Sequence, residues 1–252
     1  MTNKFIHTGQ CIWCGKTEPE VTFYNQPHIV PHALGGDEIG VDICDSCNSF
    51  FGTSQLGKPS LDLVFKEIFN AYRFFSQNLN ENSYKKYKSV FFQYYHKKHV
   101  IRIKNNFNSN IITHQFKRSL FYIFLQKYHF VKKNGNHPMF DTVRNFVRYD
   151  WGNLRVFYVY NNIILVPTDK DCLHLPMTDS LIEDMMNYGL YPFWLQGQQF
   201  FLEIFPTAFN VKGLSYLHSQ ANKLLIPAEG DESIFEVNNI YDIDFLMQRF
   251  SK

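Results

Sequence analysis

CIWCGKTEPEVTFYNQPHIVPHALGGDEIGVDICDSCNSFFG, running from Cys11 to Gly52, sets two Cys-x-x-Cys pairs on either side of a histidine-containing segment. The pairs, Cys11 with Cys14 and Cys44 with Cys47, lie 29 residues apart. That is the spacing of paired knuckles that offer four thiolates to one tetrahedral zinc. A dithiol redox motif would be a single pair opening a helix of a βαβ unit, and no such unit surrounds these cysteines. The stretch has too few apolar residues to fold alone, so metal binding is expected to supply much of its folding free energy. A zinc closed by four cysteines has no open coordination position and cannot itself activate water. Its role would be to position what lies between the pairs.

Between them, Val21-Thr22-Phe23-Tyr24 reads as a strand, followed by Gln26-Pro27-His28-Ile29-Val30-Pro31-His32 and a turn at Gly35-Gly36. A second short strand, Val41-Asp42-Ile43, leads into the second knuckle, and Asn48 is expected to open a helix. Strand, loop, strand and helix can bring a histidine of the first strand and an asparagine of the helix start to one point.

The run HIVPHALGG followed by CDSCNSFFG resembles the HNH endonuclease family, in its zinc-bound branch, over residues 11–52, about one fifth of the chain. The resemblance implies a ββα-metal finger that hydrolyses nucleic-acid phosphodiesters to 5′-phosphate and 3′-hydroxyl ends. It also implies a single catalytic divalent cation, Mg²⁺ or Mn²⁺, beside a structural Zn²⁺. By position it implies that His28 is the general base, that Asn48 helps hold the catalytic ion, and that Cys11, Cys14, Cys44 and Cys47 are the zinc ligands. An imidazole suits the first role, because its ordinary pKa of about 6.5 lets it accept a proton near neutral pH. Many members carry an acidic residue or a His immediately before the base, as a metal ligand. This chain has Pro27 there, whose side chain has no donor atom. Gln26, His32, Asp42 and Asp45 are the nearby candidates for the missing ligand, and His32 is equally a candidate phosphate contact.

Beyond the motif, 252 residues with 45% hydrophobic content can bury one sizeable core plus a small assisted module. The expected class is α+β: a zinc-stabilised finger over residues 1–58 and a larger α+β domain over 61–252. With 26 Phe and 15 Tyr, the core should be aromatic. No run of about 18 apolar residues is present and Met1 to Gln10 is polar, so no membrane span or signal peptide is expected, and the location expected is cytoplasmic. Cys172, the fifth cysteine, reads as a small buried hydrophobe.

The net charge of +2 is unevenly spread. Residues 1–60 carry three Lys against six acids, residues 61–160 carry seventeen Lys and Arg against five acids, and residues 161–252 carry five against twelve. The basic middle third fits a polyanion, DNA in the first instance with RNA not excluded. Its candidate contacts are Lys85, Lys86, Lys97, Lys98 and Arg102, interleaved with Tyr84, Tyr87, Tyr94 and Tyr95 that would either stack on unpaired bases or pack in the core. Arg144 and Arg148, one helical turn apart, offer either a second phosphate contact or a surface ion pair.

Thr53 to Ser60 reads as a linker. Leu61, Val64, Phe65, Ile68, Phe69, Tyr72 and Phe75 recur at helical spacing and predict an amphipathic helix over 61–79. Residues 87–104 predict a hairpin turning at His96-Lys97-Lys98, 113–130 and 139–149 predict helices, and LRVFYVY and IILVP predict a hairpin at Asn161-Asn162. FFLEIF near residue 202 is a further strand, and the tail suggests a short helix. A homodimer would let two single-cut sites act on both strands, although no coiled-coil heptad supports one. Proteins resembling this family also serve as subunits of mobile-element or phage-defence systems. The competing reading is a non-catalytic zinc module that binds nucleic acid or protein.

Overall fold

A computed structural model describes residues 5–78, 81–98, 100–160, 175–221 and 234–243. At its centre lies the 24-residue helix over Ser109–Lys132, buried on nearly every face. A helix apolar on only one stripe would sit at a surface, whereas this one is enclosed from several directions. Most of its buried polar side chains are paired, Gln126 being the exception among the described residues. Gln115 donates to Pro59 O, Arg118 donates to Gln115 and to Val147 O, Lys117 donates to Asn153, and Ser119 donates to Phe116 O. That pairing is what makes polar groups tolerable in a core.

In chain order the helices are α1 (Asp45–Gly52), α2 (Leu61–Gln77), the short α3 (Glu81–Tyr84), the central α4 (Ser109–Lys132) and α5 (Asp141–Tyr149). They are followed by α6 (Asp179–Tyr188), then α7 (Pro206–Ala208), which runs through a π-helical turn at Phe209–Gly213 into α8 (Leu214–Ala221). The strands are β1 (Phe92–Tyr95), β2 (Val100–Ile103), β3 (Val156–Val159), β4 (Leu190–Leu195), β5 (Gln198–Glu203) and β6 (Ile234–Glu236). β1 and β2 form a hairpin, and the other four form an antiparallel sheet in the order β4-β5-β3-β6.

The class is α+β, as the pattern predicts. α2 starts where Ser60 Oγ accepts from Leu63 N, and all seven apolar residues of the predicted stripe are buried. The β1–β2 hairpin pairs Phe92 with Ile103 and buries Phe92, Tyr94, Ile101 and Ile103 on one face, matching the period of a strand. The predicted helix at 139–149 divides into a 3-10 turn over Pro138–Phe140 and α5. β4 is not among the strands expected from the pattern. Pro192 interrupts it, and the edge position of β4 is where a residue lacking an N–H is accommodated. The hairpin predicted at Asn161-Asn162, Cys172 and the C-terminal helix lie outside the described residues, although β3 itself is present.

The N-terminal segment packs into the same core. Trp13 stacks on Tyr122 of α4 with ring centroids 5.4 Å apart, and Phe51 of α1 lies 4.5 Å from the same ring. Farther along α4, Phe116 meets Phe69 of α2 and Phe200 of β5, and Phe124 meets Tyr191 of β4.

Candidate active site

The knuckles form first. Cys11 N donates to Lys16 O, and Gly15 N, at a left-handed φ of 72°, donates back to Cys11 O. Cys44 is the residue that caps α1, and Cys47 sits in its first turn. The four Sγ atoms lie within 4.8 Å of one another, and Cys14 Sγ and Cys44 Sγ are 3.7 Å apart. A tetrahedron with Zn–S bonds of about 2.3 Å has an edge of about 3.8 Å, so the thiols fit a zinc ion.

Neither of the strands expected at 21–24 and 41–43 forms a ladder. Side chains hold these segments instead. Asp45 accepts from Thr22 Oγ1, Tyr24 N and Asn25 N, while Asp42, at φ 56°, accepts from His7 N, Thr8 N, Thr8 Oγ1 and Gly9 N. The ββ element of the finger is reduced to a bridge between His28 and Ile39, flanked by Ile29 N to Glu38 O and Gly40 N to Pro27 O. Its loop carries a 3-10 turn, His32–Leu34, closed by Gly35 at φ 90°. A Cβ on Gly36 would lie 2.0 Å from Val30 O, so only glycine permits this backbone crossing.

Asn48 does not open a helix. α1 begins at Asp45, and Asn48 N donates to Cys44 O, one turn in. Its side chain is therefore free of the capping role. His28, His32 and Asn48 line one cleft of about 440 Å³, together with Gln26, Pro27 and Ser49. The His28 and His32 rings are 5.6 Å apart, centroid to centroid, and His28 Nδ1 is buried without a hydrogen-bond partner among the described residues. Of the other candidate ligands, Asp42 and Asp45 are occupied by the hydrogen bonds above and neither lines the cleft.

Two residues that sequence reasoning missed complete the wall: Asp62 of α2 and Tyr122 of α4. A Cβ on Gly52 would lie 3.7 Å from Asp62 Oδ2, which places that carboxylate against the end of α1. Burial pushes the Asp62 carboxyl up to about 6, with Lys66 pulling partly the other way. Asp62 gives no local sign of a site, because an acid in the first turn of a helix is ordinarily read as complementing the helix dipole. Tyr122 is buried beneath Trp13 and Phe51, and desolvation raises its phenol well above the ordinary range.

The basic candidates lie elsewhere. Lys85, Lys86, Lys97, Lys98 and Arg102 are exposed, with Arg102 over the Tyr241 ring at 5.6 Å. Three of the four interleaved tyrosines are packed rather than free to stack. Phe75 of α2 packs on Tyr84, Tyr87 and Tyr94 at 5.0, 4.8 and 5.8 Å. Since Asp62 and Phe75 are separated by 13 residues of α2, the hairpin stands about 20 Å along the helix from the cleft. Arg144 is taken up by Asp141, Gly135 O and His137 O, and the Arg148 guanidinium lies 3.8 Å above the Phe50 ring.

A sequence model of the HNH endonuclease family matches residues 11–58 of this chain. No curated protein and no solved structure matches it. The matched segment is thus similar to an HNH endonuclease module, a likeness that points to nuclease chemistry and nucleic-acid binding in general terms. It ends before Asp62. Among the described residues no helix is long and apolar enough to cross a membrane.

Proposed function

We propose that the chain is a metal-dependent endonuclease that hydrolyses phosphodiester bonds in DNA, with residues 1–58 as the catalytic module and the remainder as its binding surface. The observation that carries this reading is the presence of His28 and Asn48 on the wall of one cleft inside an HNH-type segment. The cleft offers hard oxygen donors from Gln26, Asn48 and Asp62 and, apart from the base, the imidazole of His32, a donor set that fits Mg²⁺ or Mn²⁺. Asn48 would help hold such an ion, which when bound offsets charge on the scissile phosphate.

The chain's own residues do the rest. His28, whose ring lines the cleft, takes a proton from the attacking water. The His28–Ile39 bridge and the Gly36 crossing fix the ring relative to α1, and the four cysteines tie α1 to the N-terminal knuckle. His32, at the mouth of the cleft, suits a phosphate contact. The exposed lysines of the hairpin suit contacts to the phosphate backbone away from the cut.

The test is cleavage of supercoiled plasmid with Mg²⁺, Mn²⁺ or EDTA, comparing the wild type with His28→Ala at equal zinc content. Metal-dependent nicking that falls at least about a hundredfold in His28→Ala supports the assignment. Absence of cleavage of plasmid, single-stranded DNA and RNA with every ion would replace it by a non-catalytic binding module.

A further inference from the structure

The catalytic cation needs an anionic ligand that the finger itself does not provide. Pro27 occupies the position where an acid is expected and has no donor atom. None of the finger's six acids lines the cleft: Glu18, Glu20 and Asp37 lie away from it, and the other three are spent. Asp42 is fully buried and accepts from His7, Thr8, Gly9 and His129, and Asp45 accepts from Thr22, Tyr24 and Asn25. Glu38 pairs with Lys127 of α4.

Among the described residues, the carboxylate that lines the cleft is Asp62. It comes from the first turn of α2, beyond the segment that matches the HNH family. It accepts no hydrogen bond and has no cation within ion-pair distance among the described residues; Lys66, one turn on, acts only through space. A carboxylate taken partly out of water without a partner is costly, and such groups are normally paired or bound to a metal. His28, His32 and Asp62 do not form a close-set triad, since the group of His, Cys, Asp and Glu ligand atoms that close together among the described residues is the cysteine set. That arrangement suits an ion that keeps several waters and takes only one or two protein oxygens, as Mg²⁺ does.

We propose that Asp62 supplies the carboxylate missing at Pro27, so that the divalent-cation site is shared between the HNH module and helix α2 rather than contained in the module. This rests on the nuclease reading above. It follows that the α-helical region is part of the active site and not only an accessory to it.

The test is binding of Mn²⁺ alone, without nucleic acid, to the full chain, followed by calorimetry and electron paramagnetic resonance, with zinc content and thermal melting measured in parallel. Asp62→Asn keeps the side chain's shape and removes its charge. It is expected to weaken Mn²⁺ binding at least about tenfold while zinc stays at one per chain and the melt does not fall. Asp62→Glu, which keeps the charge, is expected to bind more tightly than Asp62→Asn. Unchanged Mn²⁺ affinity in Asp62→Asn, with cleavage still metal-dependent and abolished by His28→Ala, would overturn the Asp62 assignment and leave the nuclease reading standing. No Mn²⁺ binding and no cleavage by the wild type would overturn both.

Discussion

His129 Nε2 lies 2.8 Å from Asp42 Oδ2, with both side chains fully buried. Gly135 N donates to His129 Nδ1, so that nitrogen carries no proton and Nε2–H is the donor to Asp42. Burial alone would raise the Asp42 carboxyl, but the hydrogen bonds from His129, Thr8 and His7 override it and hold the group well below the usual carboxylate range. One carboxylate thereby clamps the N-terminal segment to the central helix.

His129→Ala removes one hydrogen bond from a carboxylate that keeps its donors from His7, Thr8 and Gly9, and is expected to cost about 1.5–3 kcal/mol, the range for a hydrogen bond to a charged group. Equilibrium denaturation measures it, and a loss under about 1 kcal/mol would show that the remaining donors suffice for Asp42. Because the folded-state pKa of Asp42 is depressed, its contribution is fully present above the unfolded value of about 3.9 and is lost as pH falls below it. Asp42→Asn should therefore flatten the fall in stability below about pH 4.

Zinc removal should loosen more than the knuckles. Trp13 is 1% exposed and packed on Tyr122, while Trp151 and Trp194 are already 69% and 37% exposed. A red shift of tryptophan emission on chelation, or in Cys44→Ser, would therefore report Trp13 leaving the core. Metal analysis should return one zinc per wild-type chain and none in the variant. An unshifted spectrum on zinc loss would mean that aromatic packing alone holds the segment.

At Gly36, alanine would set its Cβ 2.0 Å from Val30 O, a backbone atom that cannot turn aside. The expected cost of Gly36→Ala is about 1–3 kcal/mol, with His28 displaced, zinc retained and cleavage reduced. Thermal melting and activity check it together. A variant with wild-type melting and activity would show that the 30–36 loop accommodates the methyl.

Lys97 and Lys98 sit at the exposed tip of the β1–β2 hairpin. If each neutralises one phosphate, Lys97→Ala with Lys98→Ala should weaken nucleic-acid binding without regard to base sequence and reduce the salt slope by about 1 for each lysine. Fluorescence anisotropy over a salt series reads both. An unchanged slope would remove the hairpin from the binding surface.

What the chain states locally was legible in the sequence. The cysteine spacing marks the metal cluster, the apolar period of 61–75 marks α2 and its buried face, and alternation marks the β1–β2 hairpin, because each depends on neighbours a few residues apart. The HNH-type run likewise singled out His28 and Asn48, which line one cleft. Tertiary packing decided the rest. Asp42 and Asp45 look like free acids in the sequence and are consumed by backbone N–H groups that approach from residues 7–9 and 22–25, while Tyr84, Tyr87 and Tyr94 are drawn off their lysines into the Phe75 cluster. Asp62 enters the cleft only because α2 packs against the end of α1, and no residue within a turn of it reveals that. Spacing sets which side chains share a face, but which faces meet is fixed by how the aromatic core closes around α4.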